Sequence, residues 1–216
     1  MSNLKLEKYL KIRNDSRNYV EKIISFSIDK NLIGKGARLL GMLGHNKNLI
    51  LDSEDEINFL MDFIIFEKIR NNKNAIEHYL EHNQLDEYEQ EIFNMFLNSY
   101  SSLFIVEESD VQNGTIKLKD YYTQEKTEII DMGLSKSSIR GLPIFFRRMQ
   151  YEDIAFTSGI SYLIGSDLNS PEKLHKEIES TLKSIKEKDE SVKKFIAFKR
   201  LNKKYGIDIE FRDAKL

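Results

Sequence analysis

His78-Tyr79-Leu80-Glu81-His82 places two imidazoles one helical turn apart with a carboxylate beside them. This is the H-x-x-E-H spacing in which both rings hold zinc and the glutamate acts as base. A catalytic zinc also needs a third ligand and an open position, and Glu91 on the following helix is the candidate. The competing reading is a polar helix face shared with Asn74 and Glu77, and it is favoured because five-residue patterns arise easily by chance. No metal or cofactor is therefore expected, with His78 and His82 the only residues marked for one. His45 and His175 have no companions. Asp120, Asp131 and Asp153 fall at the ends of expected strands, where a carboxylate pair does acid–base work. Aspartates at such places more often serve turns. No serine stands in a G-x-S-x-G elbow, and the chain has no cysteine, which removes disulfides, thiol nucleophiles and cysteine-held zinc.

The sharper candidate is a basic one. The final helix, read as Ser191 to Tyr205, carries Lys193, Lys194, Lys199, Arg200, Lys203 and Lys204 with no acid, while Phe195, Ile196, Phe198 and Leu201 recur so as to face inward. Arg147 and Arg148, after the pair Phe145-Phe146, extend that patch over the neighbouring strands. Such a face can neutralise phosphates or meet an acidic partner. The formal net charge of -2 favours a protein partner and leaves nucleic acid the second choice. The glycine-rich string GKGARLLGMLG fails as a phosphate loop: it lacks the Gly-Lys-Ser/Thr ending, and Leu39 stands where a dinucleotide fingerprint needs its third glycine. Small residues that let two helices approach closely are the better reading.

The elements that position these groups follow from periodicity. Leu4 to Ile28 reads as one helix, or as two broken near Asn14-Asp15 with Asp15 or Ser16 as cap. Leu32 to Leu43, ended by Gly44, reads as the next. Ser53 with Glu56 forms a capping box within the acidic run Asp52 to Glu56. The broad apolar surface behind it, from Ile57 to Ile69, marks the central helix. Asn74 to Glu81 and Asp86 to Tyr100 supply two more, the second exposing Glu87, Glu89 and Glu91. From Leu103 to Ile164 the period changes to two. The run Leu103 to Val106, the turn Asn113-Gly114, and the alternating Thr115 to Lys119 predict a hairpin. Lys126 to Ile130, then Ile144 to Phe146 after Pro143, then two strands either side of Ser158-Gly159 complete five or six short strands, which suits an SH3-like or OB-like barrel. Ser170-Pro171-Glu172 starts a helix, Gly206 ends the last one, and Ile207 to Phe211 reads as a strand or docked tail.

The expected fold class is therefore α+β: a helical N-terminal half (1–100), a small antiparallel β-barrel or curved sheet of about five strands (101–166), and a C-terminal helical extension (167–216). The start Met1-Ser2-Asn3-Leu4-Lys5 has no apolar leader region, and no run approaches the roughly 18 apolar residues of a membrane helix. The expectation is a cytoplasmic protein without membrane contact.

The runs ARLLGML, ILDSEDEINFLMDFIIFEK, YLEHNQLDEYEQEIFNMFLNSYSSLFIVEES and TIKLKDYYTQEKTEIIDM resemble a region of bacterial proteins that often carry a SecA-C-terminal-like (SEC-C) zinc motif. The resemblance covers about Leu32 to Ile164. It implies helices leading into a strand at Ser102, Leu103, Phe104 and Val106, and a hairpin ending at Asp120. The cysteine motif itself is absent, so no metal-dependent role is carried over. Taken together, the sequence points to a non-enzymatic binding or adaptor protein that engages a macromolecule through its β module and basic last helix. The alternatives are a nucleic-acid binder using that helix and a metal-dependent hydrolase using His78, Glu81 and His82.

Overall fold

Helix α1 (Asn3–Ser27) runs unbroken through Asn14 and Asp15. Neither expected cap acts as one: Asp15 accepts from the Tyr88 hydroxyl at 2.5 Å, and the Ser16 hydroxyl donates back to the Ile12 carbonyl. The structure is a computed structural model that describes residues 3–46, 48–51, 53, 55–165, 168 and 170–206. Helix α2 (Lys30–Leu39) is capped by Asp29, whose side chain accepts from Leu32 N. It ends earlier than its apolar pattern suggests, because Gly41 takes φ +70 and turns the chain out of the helix. A Cβ on Gly36 would lie 2.7 Å from Ile64 Cγ1, so this glycine does let α2 sit close on α3 (Asp55–Phe66).

Helix α3 is the central one. Its Phe59, Leu60, Phe63 and Ile64 enter one apolar cluster, and Ile65 and Phe66 enter another on the opposite side. Of the acidic run before it, Asp52 and Glu54 lie outside the described residues, and the Glu56 carboxylate meets Lys199. Helices α4 (Ala75–Leu80) and α5 (Glu87–Leu97) each open on a reciprocal capping box, Asn74 with Glu77 and Asp86 with Glu89.

The strands are β1 (Tyr100–Asp110), β2 (Thr115–Asp120), β3 (Lys126–Ile130), β4 (Pro143–Tyr151) and β5 (Ile154–Leu163), with a one-turn helix α6 (Leu134–Ser137) between β3 and β4. They close into a barrel in the order β1-β2-β3-β5-β4. The β1–β2, β2–β3, β1–β4 and β4–β5 pairs are antiparallel, whereas β3 meets β5 in parallel at Ile130↔Phe156. The expected small barrel or curved sheet of about five strands is present, mostly antiparallel and with one parallel seam. Five strands in Greek-key order, with a helix between the third and fourth, make an OB-type barrel and not an SH3-like meander.

The two strands expected around Ser158-Gly159 are a single strand. Thr157 pairs with Arg148 and Ser161 with Phe146, so the residues between bulge out of the ladder, and Gly159 takes φ +103 at the bend. Inside the barrel lie Phe104, Val106, Ile116, Leu118, Ile129, Ile144 and Phe146. Its outside is clasped: α8 (Glu190–Tyr205) and α7 (Pro171–Lys183) join α2 and α3 over Leu103, Phe145 and Tyr162, while α1, α4 and α5 cover Met149 and Phe156. Helix α7 begins as expected, with Ser170 accepting from Lys173 N and Pro171 in the first turn. The strand or tail read at Ile207 to Phe211 lies outside the described residues. The result is an α+β chain with a helical N-terminal half, a closed five-strand barrel and C-terminal helices.

Candidate functional site

A cleft of about 540 Å³ opens where the β3–β5 seam faces the first turn of α3 and the last turns of α8. Asp131, just past β3, builds its floor. One carboxylate oxygen accepts from Gly133 N at 3.1 Å and Leu134 N at 2.9 Å, which starts α6, and the other accepts from the Thr157 hydroxyl at 2.5 Å. The parallel seam has a single registered pair, and this side-chain bridge supplements it. Across the Gly159 bend lies Arg13 of α1, whose Nη2 is 3.3 Å from where a Cβ on that glycine would stand. Its Nη1 donates to the Tyr9 hydroxyl at 3.2 Å. On the opposite wall Lys199 of α8 is ion-paired with Glu56 of α3, both buried, and Asn202 Nδ2 donates to the Leu163 carbonyl at 3.1 Å. Asp55 and Lys203 stand at the rim. The cleft thus joins five parts of the chain and carries both signs of charge.

The expected basic patch is divided by the fold. Arg147 is 3% exposed; its guanidinium bonds Asp62 at 3.1 Å and Glu67 at 2.5 Å and stacks over the Phe66 ring. Burial of β4's outer face against α3 turns it inward, so it offers no surface charge. Lys199 is likewise buried, against Glu56. Arg148 bonds the Thr127 hydroxyl at 3.1 Å and the Gln150 side chain. Lys193 pairs with Glu190 at 3.6 Å, Lys204 with Glu177 at 3.1 Å, and Arg200 donates to the Ser184 hydroxyl. Lys203 lines the cleft, and Lys194 lies over the Tyr122 ring at a second, smaller pocket. The eight residues are therefore not one surface. The physical reason is that α8 buries Val192, Phe195, Ile196, Ala197, Phe198 and Leu201 and is a core helix.

The paired imidazoles sit at the end of α4. His82 Nδ1 donates to the His78 carbonyl at 2.9 Å, His78 Nδ1 lies 3.2 Å from the Ser27 hydroxyl, and both rings flank Phe26. Glu81 turns to Lys73, and Glu91 accepts from the Tyr151 hydroxyl at 2.8 Å, so neither carboxylate joins the rings. Among the described residues no three His, Asp or Glu side chains are grouped as a metal site. The three aspartates do not converge either. Asp120 and Asp131 shape turns at opposite ends of β3, about 20 Å apart along the strand, and Asp153 pairs with Lys8 and Lys5.

The outer face of β1–β2–β3 is where OB barrels commonly take oligonucleotides. Here Lys117 pairs with Glu108 at 2.7 Å and Lys126 with Glu107 at 2.9 Å, and neither β2 nor β3 contains an aromatic residue on which a base could stack. Of the residues quoted for the SEC-C likeness, the earlier runs fall largely on helices α2 to α5, and Ser102, Leu103, Phe104, Val106 and Asp120 fall on the barrel. Phe104 and Val106 lie inside it, Leu103 faces the α2–α3–α8 cluster, and Asp120 ends β2.

An OB-type barrel clasped by helices on one side, with a polar cleft at its parallel seam between barrel and frame, defines the class of protein: α+β. The chain belongs to a family of unknown function (DUF7986), whose model matches residues 3–212. No curated protein and no solved structure matches it. No helix among the described residues is long and apolar enough to cross a membrane.

Proposed function

We propose that the protein is a non-enzymatic binding protein and that the cleft receives a segment of a protein partner. The observation that carries this reading is the mixture of charge around one opening of about 540 Å³: Asp55 on one rim, Lys203 and Arg13 on others. A polypeptide presents both signs and both kinds of hydrogen-bonding group, whereas a nucleic-acid backbone calls for a uniformly cationic groove. Asp131, Glu56 and Lys199 are engaged in holding the walls together, which makes the cleft a preformed receptor. A chain without cysteine suits the reducing cytoplasm.

The lack of native cysteine also makes the test direct. A photo-cross-linker is attached at Ser137→Cys, inside the cleft, and separately at Glu128→Cys, on the exposed face of β3. In lysate of the native cell, the first is expected to capture a discrete protein that excess unlabelled wild type competes away and that Asp55→Lys weakens. Capture of the same species from both positions, or none from the cleft, would overturn the proposal.

A further inference from the structure

Six buried side-chain oxygens among the described residues have no hydrogen-bond partner, and three of them, Ser101 Oγ, Asp120 Oδ2 and Tyr122 Oη, belong to residues that line the same small pocket. The pocket lies at one end of the barrel, between the start of β1, the β2–β3 turn and the first turn of α8, and holds about 250 Å³. Asp120 is 1% exposed. Its other oxygen, Oδ1, is used by the turn, accepting from Tyr122 N at 2.8 Å and Thr123 N at 3.0 Å. The carboxylate is thus fixed in orientation by one oxygen while the second is buried beside the pocket without a partner. Burial pushes the Tyr122 hydroxyl well above its ordinary range, so it stays a neutral hydroxyl whose oxygen can accept.

At the mouth, Lys194 Nζ rests 4.3 Å from the Tyr122 ring centroid and forms no ion pair with a carboxylate of the described residues. A carboxylate with one unpartnered oxygen and an ammonium that no carboxylate of the described residues meets therefore stand on residues lining one cavity without pairing with each other. Buried polar atoms left bare in this way call for a partner, and this pair calls for a partner that is cationic at one end and anionic at the other. The volume lies below the roughly 300–1,000 Å³ of drug-sized ligand sites, which restricts that partner to a small molecule.

We propose that this pocket binds a free α-amino acid, with its ammonium on Asp120 Oδ2, Ser101 Oγ and Tyr122 Oη and its carboxylate toward Lys194. Charge-assisted hydrogen bonds at both ends supply the affinity, and Tyr100 and Thr123 at the opening border the side chain. This site is separate from the cleft at the β3–β5 seam and does not depend on what that cleft holds.

The test is titration of the full chain, by calorimetry and thermal shift, with each common L-amino acid singly. At least one is expected to bind, and to lose binding both as its N-acetyl derivative and as its methyl ester. Asp120→Asn keeps the Oδ1 acceptor that the turn uses and replaces only the bare oxygen, so it is expected to fold and to weaken binding by about tenfold or more, the loss of one charge-assisted hydrogen bond. Ser101→Ala and Lys194→Gln, expected to weaken it less, give the same readout should the asparagine variant misfold. Binding of none of the amino acids, binding indifferent to acetylation or esterification, or a crystal soaked with them that shows only ordered waters on the three oxygens would overturn the assignment.

Discussion

Arg147 carries the heaviest electrostatic duty of any single side chain described, since it is the shared partner of two buried carboxylates, Asp62 on α3 and Glu67 just beyond it. Removing only the cation strands both anions in an apolar setting, where isolated charge is costly. Arg147→Met is expected to lower unfolding stability by about 3–5 kcal/mol in urea titration, and Arg147→Met with Asp62→Leu and Glu67→Leu to recover most of it. A triple variant no better than the single one would show that the trio does more than balance charge. His78 offers a pH-dependent counterpart. Burial first, then the charges of Arg70 and His82, hold its imidazole below the ordinary value of 6.5. The folded state then resists a proton that the unfolded chain accepts, so stability falls as pH drops from about 6.5 toward the lowered value. His78→Gln lacks this penalty. Denaturation midpoints compared on either side of that window should show wild type losing more stability in acid than the variant, and parallel curves would contradict the assignment.

Helix α8 shows at the scale of an element what sequence can and cannot convey. The spacing of Phe195, Ile196, Phe198 and Leu201 correctly marks an inward face, and Ser170-Pro171 correctly marks a helix start, because each signal is local to its own turn. The burial of Lys199 is not legible, since its partner Glu56 sits on a helix far away in the chain. The same holds for the cleft, whose Arg13, Asp55, Asp131 and Lys203 come from separate elements. Gly159 was readable as a break in strand pairing but not as a bulge in one continuous strand, because a positive-φ glycine serves both. The one-turn α6 is too short to carry a period. If α8 is core and not appendage, its aromatic face must matter more than its charges. Phe198, fully buried and stacked on Phe145 at 4.5 Å, is expected to cost about 3–5 kcal/mol when changed to alanine. Exposed Arg200→Ala is expected to stay within about 0.5 kcal/mol. Equal effects of the two in urea unfolding would refute that ordering.

On the scale of the whole molecule, the distribution of charge decides between macromolecular partners more firmly than its sum. A net charge of -2 alone would permit a local cationic groove. The fold instead places Arg147 and Lys199 in the interior, ties Lys193, Lys204, Lys117 and Lys126 to neighbouring carboxylates, and sets Lys194 and Lys203 beside two different openings, whatever else they contact. A phosphate backbone gains affinity by releasing counterions from a continuous track, with log K falling by about 0.9 per neutralised phosphate for each log unit of salt. Cations scattered among acids release few. Titration with labelled single-stranded DNA and RNA at two salt concentrations should therefore give no binding tighter than the non-specific range of about 10⁻⁴–10⁻⁶ M, with a shallow salt slope. The triple variant Arg200→Ala, Lys203→Ala, Lys204→Ala, which spares the structural Lys199, should leave that slope nearly unchanged. Tight binding with a steep slope that this variant flattens would instead mean that the exposed end of α8 collects enough cations to follow a phosphate chain, and the mixed-charge cleft would lose its claim to be the principal contact surface.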